Sequence, residues 1–167
     1  MAADTTPRSG DVFAPGSGRL RISLVSDERE VRRVLARIMR FAAHACDDEA
    51  TLGAMQIVLA EVFNNITEHA YDRRPGNGVI RVTCTAVPGA FRFTVLDEGR
   101  EIPAATLNKG ACPQWRSGRQ DLPEGGFGWH LIRSLSTNLT YTRRRGRNCL
   151  RFDIPTGHAA SCTNGGI

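Results

Sequence analysis

Long hydrophobic runs are missing from this 167-residue chain. No apolar stretch approaches the ~20 residues a helix needs to cross a bilayer. The first eighteen residues are rich in Gly, Pro, Ser and Thr and contain no apolar centre of a secretory signal. A membrane protein and a secreted precursor are therefore not expected. Cysteine is sparse and odd in number: Cys46, Cys84, Cys112, Cys149 and Cys162, none in C-x-x-C spacing. That argues against a disulfide framework and a zinc site. The four histidines (His44, His69, His130, His158) are too scattered to supply a metal set. A reducing cytoplasm is the expected compartment. Lysine is almost absent, with Lys109 alone among 22 basic residues. No internal repeat and no heptad pattern occur, which excludes collagen-like and coiled-coil architectures.

What is present is a globular composition. Hydrophobic residues make up 41% and charged residues 23%, enough to bury a core, and the length suits one domain. The net charge is +5. Arg143, Arg144, Arg145, Arg147 and Arg151 face only Asp153 between positions 139 and 155, so nearly all the excess lies there. A hairpin of this kind could touch a phosphate backbone. The simpler reading is a basic sheet edge that prevents edge-to-edge pairing, and no direct nucleic-acid partner is expected.

Periodicity divides the chain into a mobile arm at 1–18, a folded domain at 19–155 and a mobile tail at 156–167. Leu20, Ile22 and Leu24 alternate, as on a half-buried strand. Asp27, with Glu30 three residues on, caps a helix over about 28–44. Val31, Val34, Leu35, Ile38 and Phe41 form its apolar stripe. Asp47-Asp48 opens a second helix to about Ala70, striped by Leu52, Met55, Leu59, Val62 and Ile66. Residues 79–87 and 91–96 predict a hairpin about Pro88-Gly89, and 139–144 and 148–154 another about Gly146. Between them lies a long loop, 98–125, followed by a helix from Gly126 to Leu135. A loop of that length inside a compact domain points to a functional lid. The expected class is α+β: a two-layer sandwich with a mixed, mostly antiparallel sheet covered on one face by helices.

Three features could carry chemistry. Glu61 and Asn65 are four apart on one helical face, where a carboxylate and an amide can hold a divalent cation or orient a hydroxyl. Taken alone, they also fit a solvated polar face, although Asn64-Asn65 in mid-helix is a poor helix-forming pair. Asp97 ends an apolar strand and Gly99 follows two residues later. The carboxylate could accept from an exocyclic amine such as that of adenine, and the glycine could let backbone approach a ligand. An ordinary D-x-G turn is the alternative. Gly125-Gly126-Phe127-Gly128 opens a helix whose first N–H groups suit a phosphate, or else serves as a hinge.

In this order, the three segments resemble the N, G1 and G2 boxes of the GHKL (Bergerat-fold) ATPase superfamily. Within it, Glu61-Val62-Phe63-Asn64-Asn65-Ile66-Thr67-Glu68-His69-Ala70-Tyr71 and Gly125-Gly126-Phe127-Gly128-Trp129-His130-Leu131-Ile132-Arg133 are most similar to anti-sigma-factor serine/threonine protein kinases. Tyr141 and Gly146-Arg147-Asn148 fit that family's closing hairpin. The resemblance implies that Asn65 binds the Mg2+ bridging the phosphates of ATP and that Glu61 is the catalytic base or orienting group. It also implies that Asp97 reads adenine with Gly99 close by, that Gly126 and Gly128 cradle phosphates, and that about 100–125 form the ATP lid. The partners implied are a STAS-domain anti-anti-sigma protein, a sigma factor or similar regulator, and a second copy in a homodimer. Glu101 stands where many relatives have a second G1 glycine, which favours a nucleotide-gated binding module as the alternative to a kinase. No phosphoacceptor-histidine helix pair precedes the domain, so a full sensor histidine kinase is not expected. In the lid, Trp115 is a candidate partner anchor and Cys112 a candidate accessible thiol. Phe127 and Trp129 are expected to pack.

Overall fold

The computed structural model describes residues 12–13, 18–71, 78–103, 106 and 127–157. The elements run β1 (Val12–Phe13), β2 (Arg19–Val25), α1 (Glu28–Ala43), α2 (Glu49–Asn65), a π-helical turn (Ile66–Ala70), β3 (Val79–Val87), β4 (Ala90–Asp97), α3 (Phe127–Leu135), β5 (Thr137–Arg144) and β6 (Arg147–Pro155). The six strands form one sheet in the order β1-β2-β3-β4-β6-β5. Every pairing among the described residues is antiparallel, in keeping with the mostly antiparallel sheet of the expected α+β class, and no parallel pair occurs among them.

Alternation decides which face of the sheet meets the helices. Leu20, Ile22 and Leu24 on β2, Ile80, Val82 and Cys84 on β3, and Phe91, Phe93 and Val95 on β4 are buried on one side. Leu150, Phe152 and Ile154 extend that layer on β6, where Phe93 and Phe152 pair in register and stack with centroids 5.2 Å apart. The helices close over it with Val34 and Ile38 from α1, Met55, Leu59 and Phe63 from α2, and Ile132 from α3. A two-layer α/β sandwich results.

Local chemistry sets the ends of the elements. The Asp27 carboxylate accepts from the Arg29 and Glu30 amides at 2.9 and 3.4 Å and caps α1. Asp48 caps α2 through the Thr51 amide at 3.2 Å. Arg145 and Gly146 both have positive φ, 50° and 79°, the two-residue turn whose twist suits a tight hairpin.

Two differences from the expected layout matter. Val12–Phe13, inside the predicted arm, pairs with Leu20 and Arg21 as an outer strand. The second helix is not α-helical to Ala70, because its last turn widens into the π form. π turns occur mostly as single-turn bulges at functional sites. Here it delivers the ends of the His69-Ala70-Tyr71 run to the strand-end loop. The Ala70 carbonyl accepts from the Arg100 amide at 2.9 Å, and the Tyr71 hydroxyl accepts from the Glu98 amide at 2.9 Å.

Candidate functional site

A cleft of about 390 Å³ opens between the C-terminal half of α2, the end of β4, the start of α3 and the β5–β6 hairpin. Val62, Ile66, Trp129 and Leu150 give it apolar walls, while Asn65, Asp97, Tyr141 and Asn148 bring polar groups to it. An apolar cleft with a few convergent polar groups is the usual form of a small-molecule site.

Its deep end is built around Asp97. Period 2 turns this last residue of β4 inward, where it is 5% exposed. One carboxylate oxygen, Oδ1, accepts from the Gly99 amide and from Asn148 Nδ2, each at 2.8 Å. Oδ2 has no partner among the described residues, which leaves an acceptor for a ligand donor. Burial raises the Asp97 pKa, while the bonds from Asn148 and Gly99 and the charge of Arg143 pull it back.

Asn148 organises this end. It is 2% exposed and lies directly across the β4–β6 ladder from Asp97. Besides Asp97, its Nδ2 donates to the Arg100 carbonyl at 2.9 Å and to the Gly99 carbonyl at 3.4 Å. Its Oδ1 accepts from the Tyr141 hydroxyl at 2.8 Å and from Arg143 Nη1 at 2.5 Å. Arg143 also donates to the Gly99 carbonyl at 2.9 Å, and Tyr141 accepts from the Ile102 amide at 3.1 Å. Arg143 therefore points inward and does not guard the sheet edge as the sequence suggested. Exposed Arg144 remains on edge strand β5 and Arg145 in the turn beside it.

Gly99 answers a steric demand. A Cβ there would sit 2.5 Å from Ala70 Cβ and 2.7 Å from the Ala70 carbonyl oxygen. The expected close approach of backbone is thus to the π turn, which clamps the loop after Asp97 against α2.

The outer end is assembled from α2 and α3. Asn65 lines the cleft, and Glu61 stands one turn earlier on the same face. The start of α3 presses on both. A Cβ at Gly128 would overlap the Glu61 carboxylate and come within 3.6 Å of Asn65 Nδ2. Asn65 Nδ2 donates to the Glu61 carbonyl at 2.7 Å, so its Oδ1 is the atom left for a ligand. Among the described residues no group of three His, Cys, Asp or Glu could hold a metal ion. One amide oxygen beside an anion site still fits Mg2+, which commonly keeps several waters and takes its other ligands from substrate phosphates.

The structure thus places Asn65 at one end of the cleft, with Glu61 and Gly128 packed beside it, and Asp97 at the other, with Gly99 bonded to it. Gly126, most of the lid at 100–125, Trp115 and Cys112 lie outside the described residues. Trp129 is nearly buried and carries the Arg133 guanidinium over its ring at 5.9 Å. Phe127, expected to pack, is 48% exposed at the first position of α3. Glu101 lines the cleft as well. The bridging role of Asn148 is not evident from its local sequence, because the groups it ties to Tyr141 and Arg143 (Asp97 and the Gly99 and Arg100 carbonyls) lie 48 to 51 residues away. Among the described residues the cysteines are free, and burial pushes the Cys84 thiol up to about 12.

Fold and cleft define a class: a single α/β sandwich with a cleft between its helices and one end of its sheet. The chain belongs to the histidine kinase-like ATPase domain family, whose sequence profile matches residues 24–154. It is similar to two solved structures of the Erythrobacter litoralis EL346 blue-light activated histidine kinase. One match has 27% identity and a TM-score of 0.43, covering 64% of this chain and 30% of that one. The other, to the histidine kinase domain, has 25% identity and a TM-score of 0.44, covering 75% and 60%. The chain therefore spans less than two thirds of either structure. No curated protein matches it. No helix among the described residues is long and apolar enough to cross a membrane.

Proposed function

We propose that the chain is a Mg-ATP-dependent serine/threonine kinase acting as an anti-sigma regulatory factor in a partner-switching pathway. It phosphorylates a STAS-domain anti-anti-sigma protein, alternately sequesters a sigma factor or similar regulator, and works as a homodimer in the cytoplasm. The observation that carries this reading is the polarity of the cleft. A buried carboxylate with Oδ2 left open, Asp97, lies at its deep end, where it would read adenine, and Asn65 lines the other end with Glu61 and Gly128 packed beside it. Anti-sigma kinase identity rests on the residue resemblance. The His69-Ala70-Tyr71 ending of that motif has structural work here, since Ala70 and Tyr71 dock the loop after Asp97.

Phosphoryl transfer is largely positioning and charge neutralisation. Asn65 Oδ1 would hold Mg2+, which supplies charge neutralisation at the phosphates. The first N–H groups of α3 would face those phosphates. Glu61, held against Gly128, would accept or orient the hydroxyl proton of the substrate serine or threonine. Val62, Ile66 and Leu150 give the cleft apolar walls against which a base would pack.

The test is incubation of the purified protein with a lysate of its host, magnesium and γ-labelled ATP, with Glu61→Ala as control. The expected result is acid-stable label on a small protein, absent with Glu61→Ala. ATP binding without any labelled protein would overturn the kinase reading. It would favour a nucleotide-gated binding module, the reading that Glu101 at the cleft wall supports.

A further inference from the structure

The helices cover one face of the sheet, and the opposite face has a chemistry of its own. Along β2, β3, β4, β6 and β5 the side chains on that face include seven exposed arginines: Arg19, Arg21, Arg81, Arg92, Arg144, Arg147 and Arg151. Among the described residues only two carboxylates answer them. Asp153 is taken up by Arg92 through two bonds of 3.0 Å, and Glu98 is shared by Arg147 at 3.2 Å and Arg81 at 3.9 Å.

The central row is different. Register places Arg21, Thr83, Thr94, Arg151 and Thr140 side by side across five strands. The row holds no carboxylate, and Arg21 and Arg151 have no ion-pair partner among the described residues. Opposite charges directly across neighbouring strands stabilise a sheet, as Arg92 and Asp153 do in the next row. Edge protection accounts for Arg144 on β5 but not for arginines on the interior strands β2 and β6. Arg21 and Arg151 are three strand spacings apart, about 14 Å, with two threonine hydroxyls between them.

We infer that this open sheet face is a docking surface for a carboxylate-rich protein partner. Planar guanidinium forks match carboxylates in bidentate geometry, and Thr83 and Thr94 add hydroxyl donors between them. Single-stranded nucleic acid fits less well, because such sites use aromatic stacking platforms and β2–β6 present no aromatic side chain on this face. A second copy would set arginine against arginine. The face lies on the far side of the sheet from the cleft, so the inference does not depend on nucleotide chemistry.

The test uses the whole 15N-labelled protein without nucleotide and titrates it with poly-L-glutamate of about twenty residues, then with oligothymidylate of equal length. Poly-glutamate should shift the amides of Thr83, Thr94 and Arg151, with affinity falling as salt rises. Arg21→Glu with Arg151→Glu should weaken binding about tenfold or more, while Arg29→Glu with Arg40→Glu, the same charge change on α1, should alter it less than about twofold. If charge reversal disturbs folding, Arg21→Gln with Arg151→Gln should give the same ranking. Equal losses for both double variants, or shifts centred elsewhere, would overturn the assignment. Tighter binding of the oligothymidylate would overturn it in favour of nucleic acid. Concentration-dependent broadening of the free protein, abolished by the Arg21 and Arg151 changes, would overturn it in favour of a second copy.

Discussion

The two ends of the cleft are built on different plans. Around Asp97 nearly every polar atom is already engaged: Asn148 joins the carboxylate to the Gly99 and Arg100 carbonyls, and Tyr141 and Arg143 brace Asn148. Around Glu61 and Asn65 the side chains are half-buried, and a single hydrogen bond, from Asn65 Nδ2 to the Glu61 backbone carbonyl, engages them among the described residues, leaving side-chain oxygens open. A rigid, desolvated end suits recognition of an unchanging group such as a base. A looser end suits phosphates and a metal whose arrangement changes during reaction. On the proposed reading, the more fully bonded end is the one that would read the base.

The sharpest way to break this contrast is to disable each end separately. Glu61→Ala should lower phosphoryl transfer by about 10²–10⁴ and change ATP affinity less than about threefold, measured by labelled transfer and by calorimetry. Asp97→Ala should do the reverse, lowering ATP affinity about a hundredfold, since a charge-assisted hydrogen bond is lost together with its buried network. Similar losses of affinity in both variants would erase the distinction. Asn148→Ala tests the bracing itself. With Asp97 intact but unsupported, ATP affinity should fall about tenfold. Unchanged affinity by calorimetry would show that Asp97 needs no brace.

The two glycines sharpen the comparison energetically. At Gly99 an added methyl meets the Ala70 backbone, which cannot yield. Gly99→Ala should therefore cost about 2 kcal/mol of stability in urea unfolding. At Gly128 the obstacle is the end of the Glu61 side chain, which can swing aside, so Gly128→Ala should cost less than about 1 kcal/mol while slowing transfer. Equal costs would mean that α3 is clamped as firmly as the Asp97 loop.

The smallest effect is on pH dependence. Burial is the largest influence on Asp97 and raises its pKa above the usual 3.8. Between that value and the raised one, the unfolded chain has lost its proton and the folded protein keeps it. Stability from this group therefore falls as pH rises through that window, and the cost persists above it. Asp97→Asn should remove this slope, so its stability relative to wild type improves from pH 3.5 to 7 in urea titrations. A pH-independent difference would mean that the carboxylate is not held in a desolvated place.

Much of the fold was legible because it rests on short-range pattern. Strict alternation at Leu20, Ile22 and Leu24 and the Asp27 cap placed β2 and the start of α1 correctly. The stripe of Met55, Leu59 and Val62 did the same for α2. Period put Glu61 and Asn65 on one helical face and Asp97 at a strand end, but only the resemblance to the GHKL boxes joined them into a set. Other features carry no local signal. The π turn arises where Ala70 and Tyr71 meet the Asp97 loop, and β1 is only two residues long. The inward turn of Arg143 depends on Asn148 and on the Gly99 carbonyl, 44 residues away.

The amino-acid sequence by itself determined the main helices and strands, the buried face of each and the residue types available for chemistry. Those follow from periods of 2 and 3.6 and from capping, which act over a few residues. Only the tertiary structure decided that β6 lies between β4 and β5, which sets Asn148 opposite Asp97. It also decided that Gly128 presses on Glu61 and that Arg21 and Arg151 share one bare row. These are juxtapositions of distant segments, selected by packing of the whole core.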